Sequence, residues 1–200
     1  MHKTKTKEKV ESTRRKFLQY LGVGFVAYGL HAEKIIAQSG NKTEFKVLNE
    51  NDCIDIGDRG NEIIRKAFEL GHQYEDKHKG CARCTIAALQ DAIDFIPIDE
   101  GLFRAASCLD GGATPTKMAN CGSFTGSGML IGWACGTDRF GDNSLSHKLI
   151  HKLHERFEEE YGSVICKEIR DKTGEKCPEV VGKAAQWTTE IILNQFTTYK

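Results

Sequence analysis

The chain has 200 residues, 40% of them hydrophobic, and its 28 basic and 28 acidic residues give a formal net charge of zero. It has no basic run past residue 37 and no basic residues interleaved with aromatics, which excludes the usual pattern of a nucleic-acid-binding protein. It also has no Gly-x-Ser-x-Gly elbow, no His-Glu-x-x-His and no phosphate-cradling glycine loop, so hydrolytic catalysis has no support in the sequence.

The N-terminal segment has the three zones of an export signal. Its basic start ends in Thr13-Arg14-Arg15-Lys16-Phe17-Leu18, the twin-arginine pattern. A mildly apolar stretch over 17–30 and a cleavage-like end at Ala37 follow. We therefore predict a signal peptide over 1–37, passage through the twin-arginine translocase and an exported, periplasmic or extracytoplasmic protein. Because the stretch is shorter than the roughly 20 apolar residues that span a bilayer, cleavage is favoured over membrane anchoring by an uncleaved signal.

The predicted signal has two consequences: its removal changes the charge of the chain, and folded export suggests a role for the cysteines. The segment holds eight of the basic and three of the acidic residues, which leaves 20 basic against 25 acidic residues. The remaining chain of about 160 residues is long enough for one domain with a hydrophobic core. Folded export is most useful when a cofactor is inserted before export. The eight cysteines are therefore candidate cofactor ligands.

The mature chain is predicted to be all-α, a compact bundle of about six helices. Residues 38–57 are polar and aperiodic, which predicts a linker or arm, and the cysteine-rich domain is predicted over 58–200. Apolar residues recur at helical spacing in the domain. The helical segments are 63–70, 86–93, 102–109, 121–136, 145–161, 163–171 and 178–196. The fourth segment is glycine-rich and uncharged, and its glycines, spaced four apart, let helix backbones approach closely. Asn120 just before it and its own Ser and Thr residues favour a central core helix over a membrane span.

Several cysteines lie at predicted helix starts. The eight are Cys53, Cys81, Cys84, Cys108, Cys121, Cys135, Cys166 and Cys177. Backbone N–H groups and the helix dipole at such a start favour the thiolate, which attacks disulfides and binds metals. Cys81 and Cys84 form a Cys-x-x-Cys motif that is followed by Thr85 and not by histidine, so covalent c-type haem attachment is excluded there.

Four cysteine-containing segments together resemble a known family. They are Cys84 with Ile86-Ala87-Ala88-Leu89, Cys121-Gly122-Ser123-Phe124-Thr125-Gly126, Gly162-Ser163 with Cys166, and Cys177. Over residues 60–195 the chain resembles the redox-active family named for its C_GCAxxG_C_C pattern, although Ser123 stands where alanine is usual. That family in turn is similar to the non-haem part of split-Soret cytochromes, exported dimeric haem proteins with a cysteine-bound iron–sulfur centre.

The resemblance implies a cofactor and its ligands. The four thiolates would be Cys84, Cys121, Cys166 and Cys177, the number that a [2Fe–2S] cluster needs. Cys81 is a substitute ligand or a thiol partner of Cys84. The expected protein is an electron carrier or oxidoreductase component rather than an enzyme with a substrate pocket. It would work with a redox partner protein and, by analogy with the cytochromes, as a homodimer. No haem is implied.

Two alternatives use the cysteines without metal. Cys81 and Cys84 could exchange between dithiol and disulfide with a partner protein. The eight cysteines could instead form four structural disulfides in an oxidising compartment. Cys108 and Cys135 lie in apolar helical surroundings and are expected to be small buried hydrophobic side chains.

Three histidines share one face of a predicted helix. His147, His151 and His154 are spaced by four and three residues, which would suit a second metal or a haem. Lysines and glutamates surround them along the chain. We therefore expect a solvated polar face.

Overall fold

The computed structural model describes residues 45–113 and 116–200, so the predicted signal peptide over 1–37 lies outside the described residues. In the described ranges the chain forms seven α-helices and no strand, which confirms the predicted all-α class. They are α1 (Gly60–His78), α2 (Cys81–Ala92), α3 (Glu100–Ala105), α4 (Gly122–Cys135), α5 (Ser144–Tyr161), α6 (Cys166–Thr173) and α7 (Cys177–Phe196).

The core lies between α1, α2, α4, α5 and α7. Ile86 and Leu89 of α2, Leu130 of α4, Leu153 of α5 and Ile192 of α7 are all completely buried. These residues come from the apolar faces that the helical spacing predicts. Burial of a leucine or isoleucine side chain contributes about 1.5–3 kcal/mol, so this core is a main source of the free energy of folding.

The first helix runs further than its pattern predicts. We expected it to end before Gly71, yet α1 continues to His78. A Cβ atom at Gly71 would lie 3.0 Å from the carbonyl oxygen of Val181 and 3.2 Å from the Cα of Gly182. The glycine therefore serves a close approach of α1 to α7 and does not terminate the helix.

The glycine-rich segment forms α4, which packs closely on its neighbours as predicted. A Cβ at Gly126 would lie 2.5 Å from the backbone oxygen of Ala82 in α2. On another side, the Thr188 hydroxyl of α7 donates a 2.8 Å hydrogen bond to the Ser127 hydroxyl. Among the described residues, no helix has the length and hydropathy that a membrane span requires.

Part of the predicted arm is described, and it contacts the helices. The backbone N–H of Leu48 donates to the carbonyl of Ala134 at 2.9 Å, and that of Ile54 donates to the carbonyl of Phe196 at 2.7 Å. Leu48 and Ile56 are buried. The described residues of the arm are thus held against the C-terminal ends of α4 and α7.

Candidate functional site

Four cysteines line one cavity of about 350 Å³. Cys81, Cys166 and Cys177 are the first residues of α2, α6 and α7, and Cys121 directly precedes α4. Cys81, Cys121 and Cys166 are buried, whereas Cys177 is half-buried. The cavity therefore collects thiols from the starts of four helices that are far apart in the sequence.

A short backbone pairing positions two of these thiols. The N–H of Cys121 donates to the carbonyl of Val164 at 2.7 Å, and the N–H of Cys166 donates to the carbonyl of Ala119 at 3.0 Å. Gly112, at φ +69°, lies close against Cys166. A Cβ atom added at Gly112 would lie 2.6 Å from the Cβ of Cys166. The loop before α4 and the start of α6 are thereby fixed together.

Asp110 holds the first turn of α2 from a distant position in the sequence. Its carboxylate accepts from the backbone N–H of Ala82 at 2.8 Å and from Arg83 Nε at 3.1 Å. This is the role of a helix N-cap, here supplied by a residue 28 positions away. The Asp110 side chain is only 23% exposed, and it fixes the turn that carries Cys81.

Cys81 and Cys121 shift the pKa of each other in opposite directions. The hydrogen bond from Cys81, together with the nearby Ser123 hydroxyl, lowers the pKa of Cys121. The Ser123 oxygen lies 3.2 Å from the Cys121 sulfur. The same hydrogen bond, followed by burial, raises the pKa of Cys81. The opposite shifts make Cys121 the cysteine of the two that ionises more readily, as the acceptor of a hydrogen bond from a neutral Cys81 thiol.

The other two cavity cysteines lie beside a guanidinium group. Burial raises the pKa of Cys166 and that of Cys177, and the charge of Arg170 opposes the rise in both. Arg170 Nη1 lies 3.6 Å from the Cys177 sulfur. The positions of these cysteines at helix starts predicted thiolates. The pKa is instead raised for Cys81, Cys166 and Cys177. Burial is the main cause of the rise for Cys166 and Cys177.

The match of the chain to a family model covers every residue that lines the cavity except Glu75. The model is described as "Putative redox-active protein (C_GCAxxG_C_C)" and matches residues 79–191. The matched range is more than half of the chain and contains all four cavity cysteines. The chain belongs to the C_GCAxxG_C_C redox-active family. Searches of curated proteins and of solved structures found no match.

The two cysteines of the Cys-x-x-Cys motif differ in that Cys81 lines the cavity and Cys84 does not. Cys84 is buried, but it is not among the residues that line the cavity. Burial, followed by the charge of the Glu75 carboxylate, raises the pKa of Cys84 to about 12. The ligand role that the resemblance implies for Cys84 stays a prediction. The position that the structure brings to Cys121, Cys166 and Cys177 is that of Cys81, the substitute ligand.

The remaining three cysteines lie away from the cavity. Cys135 is buried, as expected, and its thiol donates to the carbonyl of Ile131 at 3.2 Å. Cys108 was predicted to be buried, but it is exposed because it lies in a 3₁₀ turn after α3. Cys53 is exposed as well. All eight cysteines are among the described residues, and each is a free thiol.

The histidine face of α5 is solvated, as predicted. His151 lies 3.5 Å from a carboxylate oxygen of Glu155, and His154 lies 3.7 Å from one of Glu158. The side chains of His151 and His154 are 72% and 46% exposed. Over the ranges 45–113 and 116–200, no group of three or more His, Cys, Asp and Glu side chains is arranged to hold a metal ion.

Two residues that line the cavity have buried polar atoms without a hydrogen-bond partner in the part of the chain that the structure describes. Among the described residues, four buried side-chain atoms lack a hydrogen-bond partner, and these include Glu75 Oε2, Arg170 Nε and the hydroxyl of Tyr161. Glu75 and Arg170 line the cavity. Tyr161 lies near enough to Cys121 for a charge there to raise the pKa of the phenol further, after the larger effect of burial. A buried polar atom without a partner lowers the stability of the fold unless a bound group satisfies it. The Arg170 and Tyr161 atoms are both hydrogen-bond donors.

Proposed function

We propose that this protein binds a [2Fe–2S] cluster in the cysteine-lined cavity and transfers electrons. The proposed ligands are Cys81, Cys121, Cys166 and Cys177. The observation that carries the proposal is that these four thiols line a single cavity. Four cysteine thiolates are the ligand set of a [2Fe–2S] cluster. Membership of a redox-active family supports the same conclusion.

A [2Fe–2S] centre needs two protein ligands on each of its two irons, and not three ligands around one ion. The four cavity cysteines supply that number of ligands.

The polar atoms around the cavity fit such a group. Thiolate and sulfide sulfurs accept hydrogen bonds, and Arg170 Nε and the Tyr161 hydroxyl are buried donors without an acceptor among the described residues. When bound, the cluster would accept and release an electron. The chain would supply the ligands, exclude water and stabilise negative charge on the sulfurs.

The predicted signal peptide at 1–37 extends the proposal to how the protein is exported. A cluster inserted in the cytoplasm would require export in the folded state, which the twin-arginine translocase provides. We propose an exported electron carrier that works with a second redox protein. A homodimer remains an expectation from the split-Soret resemblance.

A metal-free dithiol function is the second candidate, and a specific observation favours it. Cys81 and Cys121 line the same cavity, and the lowered pKa of Cys121 makes it the favoured nucleophile. Cys121 would attack a partner disulfide to form a mixed disulfide, and Cys81 would then resolve it. The result is a Cys81–Cys121 disulfide and a reduced partner, in which one sulfur takes the proton of Cys81 and the other leaves as a thiolate that solvent protonates. The predicted pairing of Cys81 with Cys84 stays an alternative dithiol, since both cysteines belong to one buried cluster with Val181.

Reversible bleaching distinguishes the two functions. We expect the full chain, purified without air, to absorb visible light, to bleach with dithionite and to recover its colour when oxidised with ferricyanide. Thiol titration is done in parallel. A colourless, folded protein that loses two thiols on oxidation would contradict the cluster and support the dithiol. The variant Cys108→Ser, at an exposed thiol outside the cavity, is the control and should behave as the unmodified chain.

A further inference from the structure

We infer that Arg170 sets the reduction potential of the proposed centre through the sulfur of Cys177, an inference that rests on the proposed function. The guanidinium Nη1 donates to that sulfur at 3.6 Å. This is the sole hydrogen bond from a positively charged side chain to a cavity cysteine in the described part of the chain. Arg170 is thus a tuning residue that acts through the ligand Cys177.

The position of the guanidinium is fixed by two further contacts. Arg170 Nη2 lies 2.9 Å from Glu175 Oε2, and Lys117 Nζ lies 3.3 Å from Glu175 Oε1. The backbone reinforces this arrangement, because the N–H of Glu175 donates to the carbonyl of Arg170 at 2.9 Å. The N–H of Cys177 then donates to the carbonyl of Glu175 at 2.8 Å. Arg170, Glu175 and Cys177 therefore form one hydrogen-bonded turn.

The expected effect follows from charge. A reduced centre carries one more negative charge than the oxidised one, and a nearby cation and N–H donor stabilise the reduced form more. Hydrogen bonds to the sulfurs and solvent exposure are among the factors that set iron–sulfur potentials. The Arg170 side chain is 24% exposed, so its charge is only partly screened by water. Arg170 should raise the reduction potential.

The test is spectroelectrochemical titration of the visible absorption in matched variants. Arg170→Met removes the charge and the donors. Arg156→Met removes the same charge from α5, where Arg156 forms an ion pair with Glu190 of α7. We expect Arg170→Met to shift the potential to a more negative value and Arg156→Met to leave it near that of the unmodified chain. An unchanged potential in Arg170→Met, or equal shifts in both variants, would overturn the inference.

A second variant separates tuning from simple support of the turn. Glu175→Gln breaks the ion pair with Arg170 but removes a negative charge, so the potential should not fall. If the potential falls in Glu175→Gln as in Arg170→Met, the role is structural and the inference is wrong. Arg170→Gln, which keeps an N–H donor, is measured if Arg170→Met loses the cluster. Loss in both would also overturn the inference. A cluster-free unmodified chain would contradict the proposed function itself.

Discussion

Replacement of Cys81 by serine is expected to remove nearly all bound iron, whereas Cys84→Ser should keep it. Cys81 lines the cavity with the other three cysteines, and Cys84 lies outside that lining and contacts Glu75. A serine hydroxyl is a poor substitute for a thiolate ligand to iron. Iron content and visible absorption are measured for both variants after purification without air.

The two variants are matched controls for each other, since both sites are buried and lie in the first turn of α2. Far-UV circular dichroism should show the same helix content in both. If Cys84→Ser loses the iron and Cys81→Ser retains it, the ligand is the one that the family resemblance implies, and the cavity assignment of Cys81 is wrong.

Gly126→Ala is expected to destabilise the fold and to reduce cluster content. The added Cβ would lie 2.5 Å from the carbonyl oxygen and 3.0 Å from the Cα of Ala82, both backbone atoms that cannot rotate away. The two helices must therefore separate, at a cost of about 1–3 kcal/mol, as is typical of overpacking. Because α2 begins at Cys81 and α4 follows Cys121, the same movement disturbs the cavity.

The matched control is Gly132→Ala in the same helix, where an added Cβ meets nothing within 4 Å. That variant should gain about 0.8–1.0 kcal/mol from helix propensity. Urea unfolding of cluster-free protein gives both free energies, and iron analysis gives the cluster content. Equal effects of the two substitutions on stability would contradict the close packing of α4 on α2.

The helices and their packing glycines are largely predictable from the sequence. Apolar spacing indicates the buried faces, and the glycines of 121–136 indicate a close-packed central helix. Gly71 shows the limit of such rules, because a glycine within a helical pattern can end the helix or admit a neighbour. Only the position of Val181 and Gly182 on α7 distinguishes the two cases.

The identity of the fourth thiol could not be settled from spacing. Cys81 and Cys84 are three residues apart, so both project from the same side of a helix's first turn. Their separation in function depends on distant partners, Cys121 for Cys81 and Glu75 for Cys84. The cap from Asp110 is equally invisible in the sequence, because it closes over 28 residues.

The thiol chemistry shows the same limit. A helix start favours a thiolate, and this reasoning predicts lowered pKa values for the cysteines at such positions. Burial raises the pKa of Cys166 and of Cys177 instead, and only Cys121, which has two hydrogen-bond donors beside it, has a lowered pKa among the four. Burial and donor positions are properties of the assembled fold.

The central claim is that the four cavity cysteines hold a [2Fe–2S] cluster. The most direct measurement is the iron and acid-labile sulfide content of the full chain purified without air. We expect about two irons and about two sulfides per chain. A folded protein that contains neither iron nor sulfide would contradict the claim.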